Sequence, residues 1–568
     1  MSSDADVIII GAGAGGAVAA KELGEYGLNV LVLEAGPWYG NKQWEEPNQQ
    51  RGPVSSSRAS DLDVNLLRRQ YNRYEKSMND FLTGRFRWGS ADRRQSVWHR
   101  DIPENGMAWQ ASGVGGSTQH YWANSPRAFA SAVEKWPISY QELVPYYEKV
   151  EATLPVQFAP TTSKEELFYY GSKKAGWSFI DTLNPTSPGY RPQPNAILPP
   201  NEHLMDPSVS MEQLSHMEGC TLAGHCINGC PYGSSVDKVA KRATNVSYVP
   251  LALKTGNVEI RPNTFTTKIL TDNDPVEGVR ACGVQFRDTW TGEIGELYGK
   301  TIVMAGGSIE NPRLWLNSDL PHNEWVGRGL TNNYWDWVTG VFDEKDLVSI
   351  LGHPNVNPFV GHTSAARLDY PGLGAIQPSG ISPGLFSGLA FGFSQSDYTT
   401  GQNPSPETPW DLQGKVVGNE LKEWMDHYRN MLSFLILTDD QPDKRNGVTV
   451  DPFIKDEHGP VPVIQYTPSK QDTKKRNELV KITTDILRKA GAKKVHRSDW
   501  PANFFAHILT TMRMGFVVDT NCEAYQVKRL FIADSSVEPG SAGGVNPTLT
   551  AQALATRTAE KLVNKYFS

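Results

Sequence analysis

The N-terminal glycine motif constrains the fold of this chain more than any other stretch. Residues 7–10 form an apolar run of strand length, and the pattern Gly-x-Gly-x-x-Gly starts directly after it at Gly11. A helical pattern then runs to Tyr26, and a second apolar strand ends at Glu34. Strand, glycine turn, helix, strand and acidic residue in this order predict a dinucleotide-binding unit, and therefore an α/β fold.

Each glycine of the motif has a physical role in such a unit. Gly11 permits the tight turn, Gly13 lets the backbone approach a pyrophosphate, and Gly16 lets the helix lie close to the sheet. The helix N-terminus, with Ala14 at its start, offers free N–H groups and the positive end of its dipole to the phosphates. Glu34 is expected to accept hydrogen bonds from the adenosine ribose hydroxyls.

A second acidic element lies near the C-terminus. A short apolar strand, residues 530–533, leads to Asp534 and a loop rich in small residues, and a helix follows near Thr548. Between the two ends, KTIVMAGGSIENP predicts another strand and helix start, with Gly306 on the adenine side of the cofactor. A second strand, acid and helix favour FAD over NAD, because the extended cofactor needs a place for its ribityl chain and flavin.

Composition and charge exclude several classes of function. The chain has 55 basic and 62 acidic residues, a net charge of −7, which leaves no basic surface for nucleic acid. No apolar run approaches the roughly 20 residues that span a bilayer, so no transmembrane segment is expected. The first residues, MSSDADVIII, carry no basic region, so they predict a strand rather than a signal peptide and, by themselves, a cytoplasmic chain.

Together these elements resemble the FAD scaffold of the glucose–methanol–choline (GMC) oxidoreductase family. Residues 111–127, ASGVGGSTQHYWANSPR, add to the resemblance, because they are similar to the family's GGS/T loop along the pyrophosphate and flavin. The resemblance implies an α/β fold with a Rossmann-like FAD-binding domain and a substrate domain on an antiparallel sheet. The implied cofactor contacts of this loop are Gly115, Gly116, Ser117, Thr118 and His120. Relatives differ in whether the loop histidine is bonded covalently to the flavin, and both states remain open for His120.

The resemblance also divides the chain into two discontinuous domains. The implied FAD-binding domain comprises residues 1–40, 105–130, 218–335 and 500–568, and the implied substrate-binding domain comprises residues 41–104, 131–217 and 336–499. Within the second set, the alternating stretches NGVTVDPF (446–453) and VPVIQYT (461–467) are expected to be strands of the antiparallel sheet.

Two polar residues near the C-terminus match the family's catalytic pair. His507, in FFAHILTTMRMG, matches the family's histidine before a TCRMG-like loop, although this loop departs from HxxGTCRMG; Asn546, in GGVNPTLT, matches a His or Asn. The resemblance implies that both face flavin N5, where His507 removes the hydroxyl proton of an alcohol and Asn546 holds its oxygen. Asn546 also stands where it can cap the next helix, because Pro547 suits the first helical position.

Three of the five cysteines lie in CTLAGHCINGCPYG, at the spacing C-x5-C-x3-C. A closed zinc site needs a fourth ligand, for which His225 is the nearby candidate, and unligated buried thiols are a second reading. The stretch resembles that of bacterial FAD-dependent sugar dehydrogenases of the glucose, fructose and glucoside 3-dehydrogenase type. That resemblance implies a [3Fe–4S] cluster in the loop 219–233, close to the flavin and bound by Cys220, Cys226 and Cys230, one thiolate for each iron.

The implied function is a dehydrogenase that oxidises a sugar or glycoside hydroxyl and passes electrons through the cluster to a partner. The implied partners are a small accessory subunit and a cytochrome, and such a subunit would place the chain in the periplasm or at a membrane. The alternatives are an oxidase that reduces O2 to H2O2, with structural cysteines, and a non-catalytic flavoprotein. The presence of His507 and Asn546 disfavours the last.

Overall fold

The computed structural model of the chain describes residues 3–44, 57–75, 100–103, 106–205, 208–224, 226–230, 232–401 and 403–568. Much of the segment 41–104 and the candidate zinc ligand His225 lie outside these ranges. The α-helices are α1 (Ala14–Glu25), α2 (Val64–Glu75), α3 (Ala130–Val133), α4 (Tyr140–Thr153), α5 (Ser163–Lys174), α6 (Met211–His216), α7 (Tyr248–Lys254), α8 (Gly307–Leu316), α9 (Glu344–Leu351), α10 (Pro383–Ser387), α11 (Gly418–Asp426), α12 (Lys470–Lys489) and α13 (Thr548–Tyr566).

Within the described ranges, the strands form two large sheets and three small ones. They are β1 (Ala5–Ile10), β2 (Val30–Leu33), β3 (Met107–Ala108), β4 (Gln157–Phe158), β5 (Gly189–Pro192), β6 (Pro194–Asn195), β7 (Val258–Arg261), β8 (Thr264–Asp274), β9 (Gly278–Asp288), β10 (Ile294–Met304), β11 (Asp336–Val341), β12 (Ala366–Tyr370), β13 (Gly374–Ser379), β14 (Thr400–Gly401), β15 (Leu412–Gln413), β16 (Met431–Thr438), β17 (Gly447–Asp456), β18 (Gly459–Gln465), β19 (Lys494–Arg497), β20 (Phe504–Phe505) and β21 (Leu530–Ile532).

The first sheet is the dinucleotide-binding sheet that the N-terminal motif predicts. Its parallel part has the order β7-β2-β1-β10-β21, and the antiparallel pair β9-β8 continues from the first half of β10. Its central strand is buried on both faces, as a parallel sheet covered by helices requires. The predicted strand, helix and strand at the N-terminus, and the strand and helix around Gly306, are therefore confirmed.

The second sheet has the order β14-β15-β19-β11-β16-β13-β12-β5 and is antiparallel except between β15 and β19. One face packs against α5 and α12 through a core that includes Val338, Leu432 and Ile436. On the other face, three side chains from neighbouring strands lie side by side. Trp337 on β11 pairs with Leu435 on β16, and Leu435 pairs with Gln377 on β13. The expected α/β architecture with an antiparallel second sheet is confirmed.

The assignment of NGVTVDPF and VPVIQYT to this sheet is wrong. They form β17 and β18, which pair with each other as a separate hairpin. The hairpin packs on α8, where Arg313 donates hydrogen bonds to the Asp456 carboxylate (2.6 Å) and the Pro460 carbonyl (3.0 Å). Alternating polarity identified the strands correctly, but it carries no information about which strands they pair with.

None of the helices in the described ranges combines the length and apolar character that crossing a bilayer requires.

Candidate active site

One cavity brings together the glycine turn, the carboxyl ends of the parallel strands and the C-terminal loops. It is lined by these predicted site residues: Gly11, Gly13, Ala14, Glu34, Gly116, Ser117, Thr118, His120, Gly306, His507, Asp534, Asn546 and Thr548. Gly16, Gly115 and the three clustered cysteines do not line it. Residues from four separate parts of the sequence therefore meet at one site, at the edge of the sheet where α/β proteins bind ligands.

Close backbone packing shapes the floor of the cavity. A Cβ atom on Gly116, whose φ is +51°, would lie 2.7 Å from the Cα of Gly13, so the two glycine-rich loops touch. A Cβ on Gly16 would lie 1.9 Å from the carbonyl oxygen of Gly11, which explains why this glycine serves packing rather than the cavity. The floor is therefore bare backbone that a phosphate chain can approach.

Glu34 fastens three loops at one end of the cavity. Its carboxylate accepts hydrogen bonds from the backbone N–H groups of Ala12 (2.8 Å), Gly36 (2.9 Å) and Gly113 (2.8 Å). Burial raises the pKa of Glu34, and these backbone donors oppose that rise. The Glu34 side chain thus fixes the positions of the three loops through their backbone N–H groups, and it also lines the cavity where the ribose is expected.

Asp534 is held in a comparable way at the end of β21. One carboxylate oxygen accepts from the Gly307 N–H (2.8 Å) and from the Asn311 side-chain amide (2.8 Å), and the other accepts from the Ser536 N–H (2.9 Å). Burial raises the pKa of Asp534. Asn311 was not predicted as a site residue, because its position beside Asp534 depends on the pairing of β10 with β21.

The residues of the cavity fit an FAD molecule. Oε1 of Gln110 and Oγ1 of Thr266 belong to cavity-lining residues, are buried, and have no hydrogen-bond partner among the described residues. Buried polar atoms of this kind are normally satisfied, so a bound polar ligand is the natural partner. The glycine floor, the start of α1 and the two fixed carboxylates supply the other features that a flavin dinucleotide needs.

His507 follows β20 and is held in one tautomer. Its Nδ1 lies 2.9 Å from Oδ1 of Asn333, whose own amide nitrogen donates to the carbonyls of Thr438 and Ser541 (3.4 Å each). Because an amide oxygen only accepts, Nδ1 of His507 carries the hydrogen, an assignment made from the hydrogen-bond network. Nε2 therefore keeps its lone pair, as a base requires.

The surroundings of His507 keep its imidazole neutral. Burial lowers the pKa of His507 to about 3, and the ring packs against Trp335 with 4.5 Å between ring centroids. Tryptophan also lines the cavity nearby at Trp109 and Trp122, together with Leu435. This end of the cavity is therefore apolar and aromatic around one neutral base.

Asn546 does not cap the helix that follows it. α13 starts at Thr548 with Pro547 in the capping position and no side-chain cap. The Oδ1 atom of Asn546 instead accepts a hydrogen bond from Nε2 of Gln377 (2.5 Å) and one from Arg367 (3.4 Å). The expectation of a cap was wrong because partners from the antiparallel sheet compete for the same oxygen.

The three clustered cysteines are buried together next to the loop 111–127, which carries His120. Burial and the neighbouring Cys226 raise the pKa of Cys230 to about 12, and burial followed by the two other thiols raises that of Cys220. The buried ammonium of Lys241 donates to the carbonyls of Gln119 (2.7 Å) and Cys226 (2.6 Å), which ties this loop to the residues beside His120.

No group of three His, Cys, Asp or Glu side chains within the described ranges is arranged to hold a metal ion. The three thiols are buried in the same region, but their arrangement is not that of metal ligands, so the [3Fe–4S] cluster stays a prediction. For His120 the covalent and the non-covalent state both stay open; burial lowers the pKa of this cavity-lining histidine to about 3.

Sequence reasoning missed the residues that hold His507 and Asn546. Asn333 is far from His507 in the chain, and Gln377 and Arg367 are far from Asn546. None of them stands in a recognisable local pattern. The register of the antiparallel sheet, which aligns β12 with β13, places Arg367 and Gln377 beside Asn546.

Models of known families match three parts of the chain. The two models described as GMC oxidoreductase match residues 211–335 and 442–555, and one described as an NAD(P)-binding Rossmann-like domain matches residues 9–41.

Curated relatives align along almost the whole chain. The 6'''-hydroxyparomomycin C oxidase of Streptomyces lividus is 26% identical and aligns over 98% of this chain and 91% of its own. The 2-methyl-1,2-propanediol dehydrogenase of Mycolicibacterium austroafricanum is 25% identical, over 99% and 95%. The fructose dehydrogenase large subunit of Gluconobacter japonicus is 24% identical, over 99% and 98%.

Among solved structures, a variant of formate oxidase from Aspergillus oryzae RIB40 has the same fold. The TM-score is 0.62 at 14% identity, and the match covers 100% of this chain and 99% of that one. The fold, the cavity and the family models agree, and the chain therefore belongs to the GMC oxidoreductase family.

Proposed function

We propose that this GMC oxidoreductase, which acts on a CH–OH donor, is an FAD-dependent dehydrogenase that oxidises a sugar or glycoside hydroxyl to a carbonyl. The observation that carries the proposal is the pairing of His507 and Asn546 in the cavity that the glycine turn and Glu34 also line. One of these side chains presents a lone pair and the other an amide, and alcohol oxidation needs both a proton acceptor and a donor for the oxygen.

When bound, FAD supplies the acceptor for the hydride that leaves the carbinol carbon. The chain's own residues handle the proton and the oxygen. Nε2 of His507 accepts the hydroxyl proton. In the resulting imidazolium, the Nδ1–H group still donates its hydrogen bond to Oδ1 of Asn333. The amide nitrogen of Asn546 donates to the alcohol oxygen, where negative charge develops as the O–H bond breaks.

The character of the substrate end supports an uncharged, polyhydroxylated substrate. Trp109, Trp122 and Trp335 line it, and aromatic faces suit the apolar faces of sugar rings. Fructose dehydrogenase, by its name, acts on a sugar, which supports the same class for this chain.

The proposal includes a route for the electrons after flavin reduction. We propose that Cys220, Cys226 and Cys230 bind a [3Fe–4S] cluster, and that a small accessory subunit and a cytochrome receive the electrons. A cluster of this kind supplies one-electron transfer. Support comes from the burial of the three thiols together and from Lys241, which connects their loop to the loop of His120.

An oxidase that reduces O2 to H2O2 is the second candidate. One observation favours it: the thiols, as the structure describes them, do not form a metal-binding group. In that case the cysteines pack as buried thiols, which the raised pKa values of Cys220 and Cys230 suit, because a protonated thiol is uncharged.

The test of the first proposal uses the purified holoenzyme and a panel of sugars, glycosides and other alcohols. We expect sugars or glycosides to bleach the flavin absorbance without oxygen. A panel in which only simple or aryl alcohols react would contradict the proposed substrate class.

Iron and acid-labile sulfide analysis separates the two candidates. We expect about three irons per chain and slow peroxide formation in air, as a [3Fe–4S] dehydrogenase requires. Protein without iron that forms peroxide at the rate of substrate oxidation would establish the oxidase instead.

A further inference from the structure

The side-chain oxygen of Asn546 accepts hydrogen bonds from two donors on the antiparallel sheet, on the side away from the cavity. Nε2 of Gln377, on β13, donates to it at 2.5 Å, and the guanidinium of Arg367, on β12, donates at 3.4 Å. Both donor residues are fully buried, and neither lines the cavity. Since two hydrogen bonds occupy Oδ1, the amide nitrogen is the part of this side chain left for the cavity.

Each of the two donors is fixed in turn by a further side chain. Asn124 donates to Oε1 of Gln377 at 2.9 Å, so the amide of Gln377 must present its nitrogen to Asn546. The Asp369 carboxylate accepts from Nε of Arg367 at 2.6 Å and from Arg191 at 2.7 Å. The orientation of Asn546 is therefore set by a connected buried network rather than by one contact.

We propose that Gln377 is a positioning residue, assisted by Arg367 and Asn124, which restricts Asn546 to donating hydrogen bonds into the cavity. This inference rests on the proposed function, in which Asn546 holds the alcohol oxygen. Its chemical consequence is a strict division of roles. His507 is the only proton acceptor of the pair, and Asn546 only stabilises negative charge on the oxygen or on the reduced cofactor.

The test replaces Gln377 by its isosteric acid, Gln377→Glu. An ionised carboxylate accepts but does not donate, so the amide of Asn546 is expected to turn, give its nitrogen to residue 377 and present Oδ1 to the cavity. The charged groups of the network that holds Asn546 are Arg367, Asp369 and Arg191, and the guanidinium pKa of Arg367, lowered by burial to about 10, keeps it charged through the range used.

The first readout is the midpoint potential of bound FAD, measured by dye equilibration between about pH 5 and pH 8, which needs no substrate. We expect the Gln377→Glu potential to fall below wild type at the alkaline end, because oxygen lone pairs then face the cofactor. It should return toward wild type at the acid end, where a protonated carboxyl donates again. The rate at which an alcohol reduces the flavin of Gln377→Glu should change in the same direction as the potential, and it should be about 10- to 100-fold below wild type at the alkaline end.

Two further variants separate positioning from packing. Gln377→Met removes the donor without adding charge, so we expect a smaller effect that does not depend on pH, since Arg367 still holds Oδ1. Asn124→Asp tests the network through the partner of Gln377, because it should turn Gln377 and, through it, Asn546; since Asn124 itself lines the cavity, its charge also acts on the cofactor site directly. The matched control is Gln526→Glu on the surface, where the side chain accepts a hydrogen bond from Asn323 at 3.1 Å and needs to donate none.

The inference is overturned if Gln377→Glu and Asn124→Asp both keep the wild-type potential at every pH. A loss in Gln377→Glu that is independent of pH and equal to that of Gln377→Met also overturns it, since packing alone would then account for the change. If no alcohol reduces even the wild-type flavin, the proposed function fails, but the potentials still decide whether Gln377 orients Asn546.

Discussion

At the scale of single residues, the chemistry of the site depends on which atoms of two side chains are already occupied. Asn333 occupies Nδ1 of His507, and Gln377 occupies Oδ1 of Asn546. What remains is one lone pair and one N–H group, in a pocket where burial keeps the histidine neutral. A histidine with its ordinary pKa of about 6.5 would be partly protonated near neutral pH, whereas this one is deprotonated there.

Replacing His507 by Ala should slow flavin reduction by about 10²- to 10⁴-fold, because the hydroxyl proton loses its acceptor. FAD content should stay at the wild-type level, since the cofactor contacts of the glycine floor and Glu34 are untouched. Stopped-flow reduction without oxygen measures the rate, and the exposed His322→Ala serves as the control. Wild-type reduction rates in His507→Ala would exclude it as the base.

Replacing Asn333 by Asp should shift the pH profile in a defined direction. A carboxylate beside the Nδ1 proton stabilises the imidazolium form, so the pKa of His507 should rise from its value of about 3. The base is active only when deprotonated, so the acid limb of the reduction rate should move to higher pH. An acid limb that stays in place would show that Asn333 does not control this histidine.

At the scale of elements, two loops that sequence reasoning treated separately form one surface. The turn after β1 and the loop of Gly116 touch, and Glu34 bonds to both. Each loop was predictable alone, because a strand, a glycine spacing and a helix are local patterns. The contact between them was not, since it depends on the path of a hundred intervening residues.

Gly116→Ala tests that surface. Its Cβ would lie 2.7 Å from the Cα of Gly13, at a φ of +51° that costs an alanine roughly 1–2 kcal/mol. We expect the variant to lose most of its FAD on gel filtration, measured as the ratio of flavin to protein absorbance. Gly384→Ala is the matched control, because its Cβ would meet nothing within 4 Å. Full FAD occupancy in Gly116→Ala would contradict the tight contact.

The same distinction between local and distant information explains the other outcomes. Asp534 was found because it follows a recognisable strand, and His507 and Asn546 were found because their surroundings resemble the C-terminal motifs of the family. Asn333 and Gln377 were not, because their roles come from sheet register over long sequence separations. The β17–β18 hairpin shows the reverse error, in which a correct local pattern was given the wrong partners.

At the scale of the whole molecule, several buried histidines share one electrostatic property. Burial lowers the pKa of His120, His362 and His507 to about 3 and that of His496 to about 4. In the unfolded chain each returns to an ordinary value of about 6.5. Between these values the unfolded state binds more protons, so stability rises with pH in that range and is lost on acidification.

Between about pH 7 and about pH 5 these histidines should therefore lower the melting temperature, while the buried carboxyl of Asp440, whose pKa is raised to about 7, acts in the opposite direction. His496→Gln should reduce this slope, because it removes one buried titrating group and keeps an N–H that can replace the bond between His496 and the Gly414 carbonyl. The exposed His427→Gln should leave the slope unchanged. A slope that is the same in His496→Gln and in wild type would contradict the neutral burial of His496.

The bare-backbone floor of the cavity has a consequence for how this enzyme can change. Because main-chain atoms form much of that floor, few side chains there are available to alter cofactor choice without breaking the loops. The opposite end is made of tryptophans, Leu435 and amides, which substitution can reshape one at a time. Directed evolution should thus find new substrates readily and new cofactors rarely.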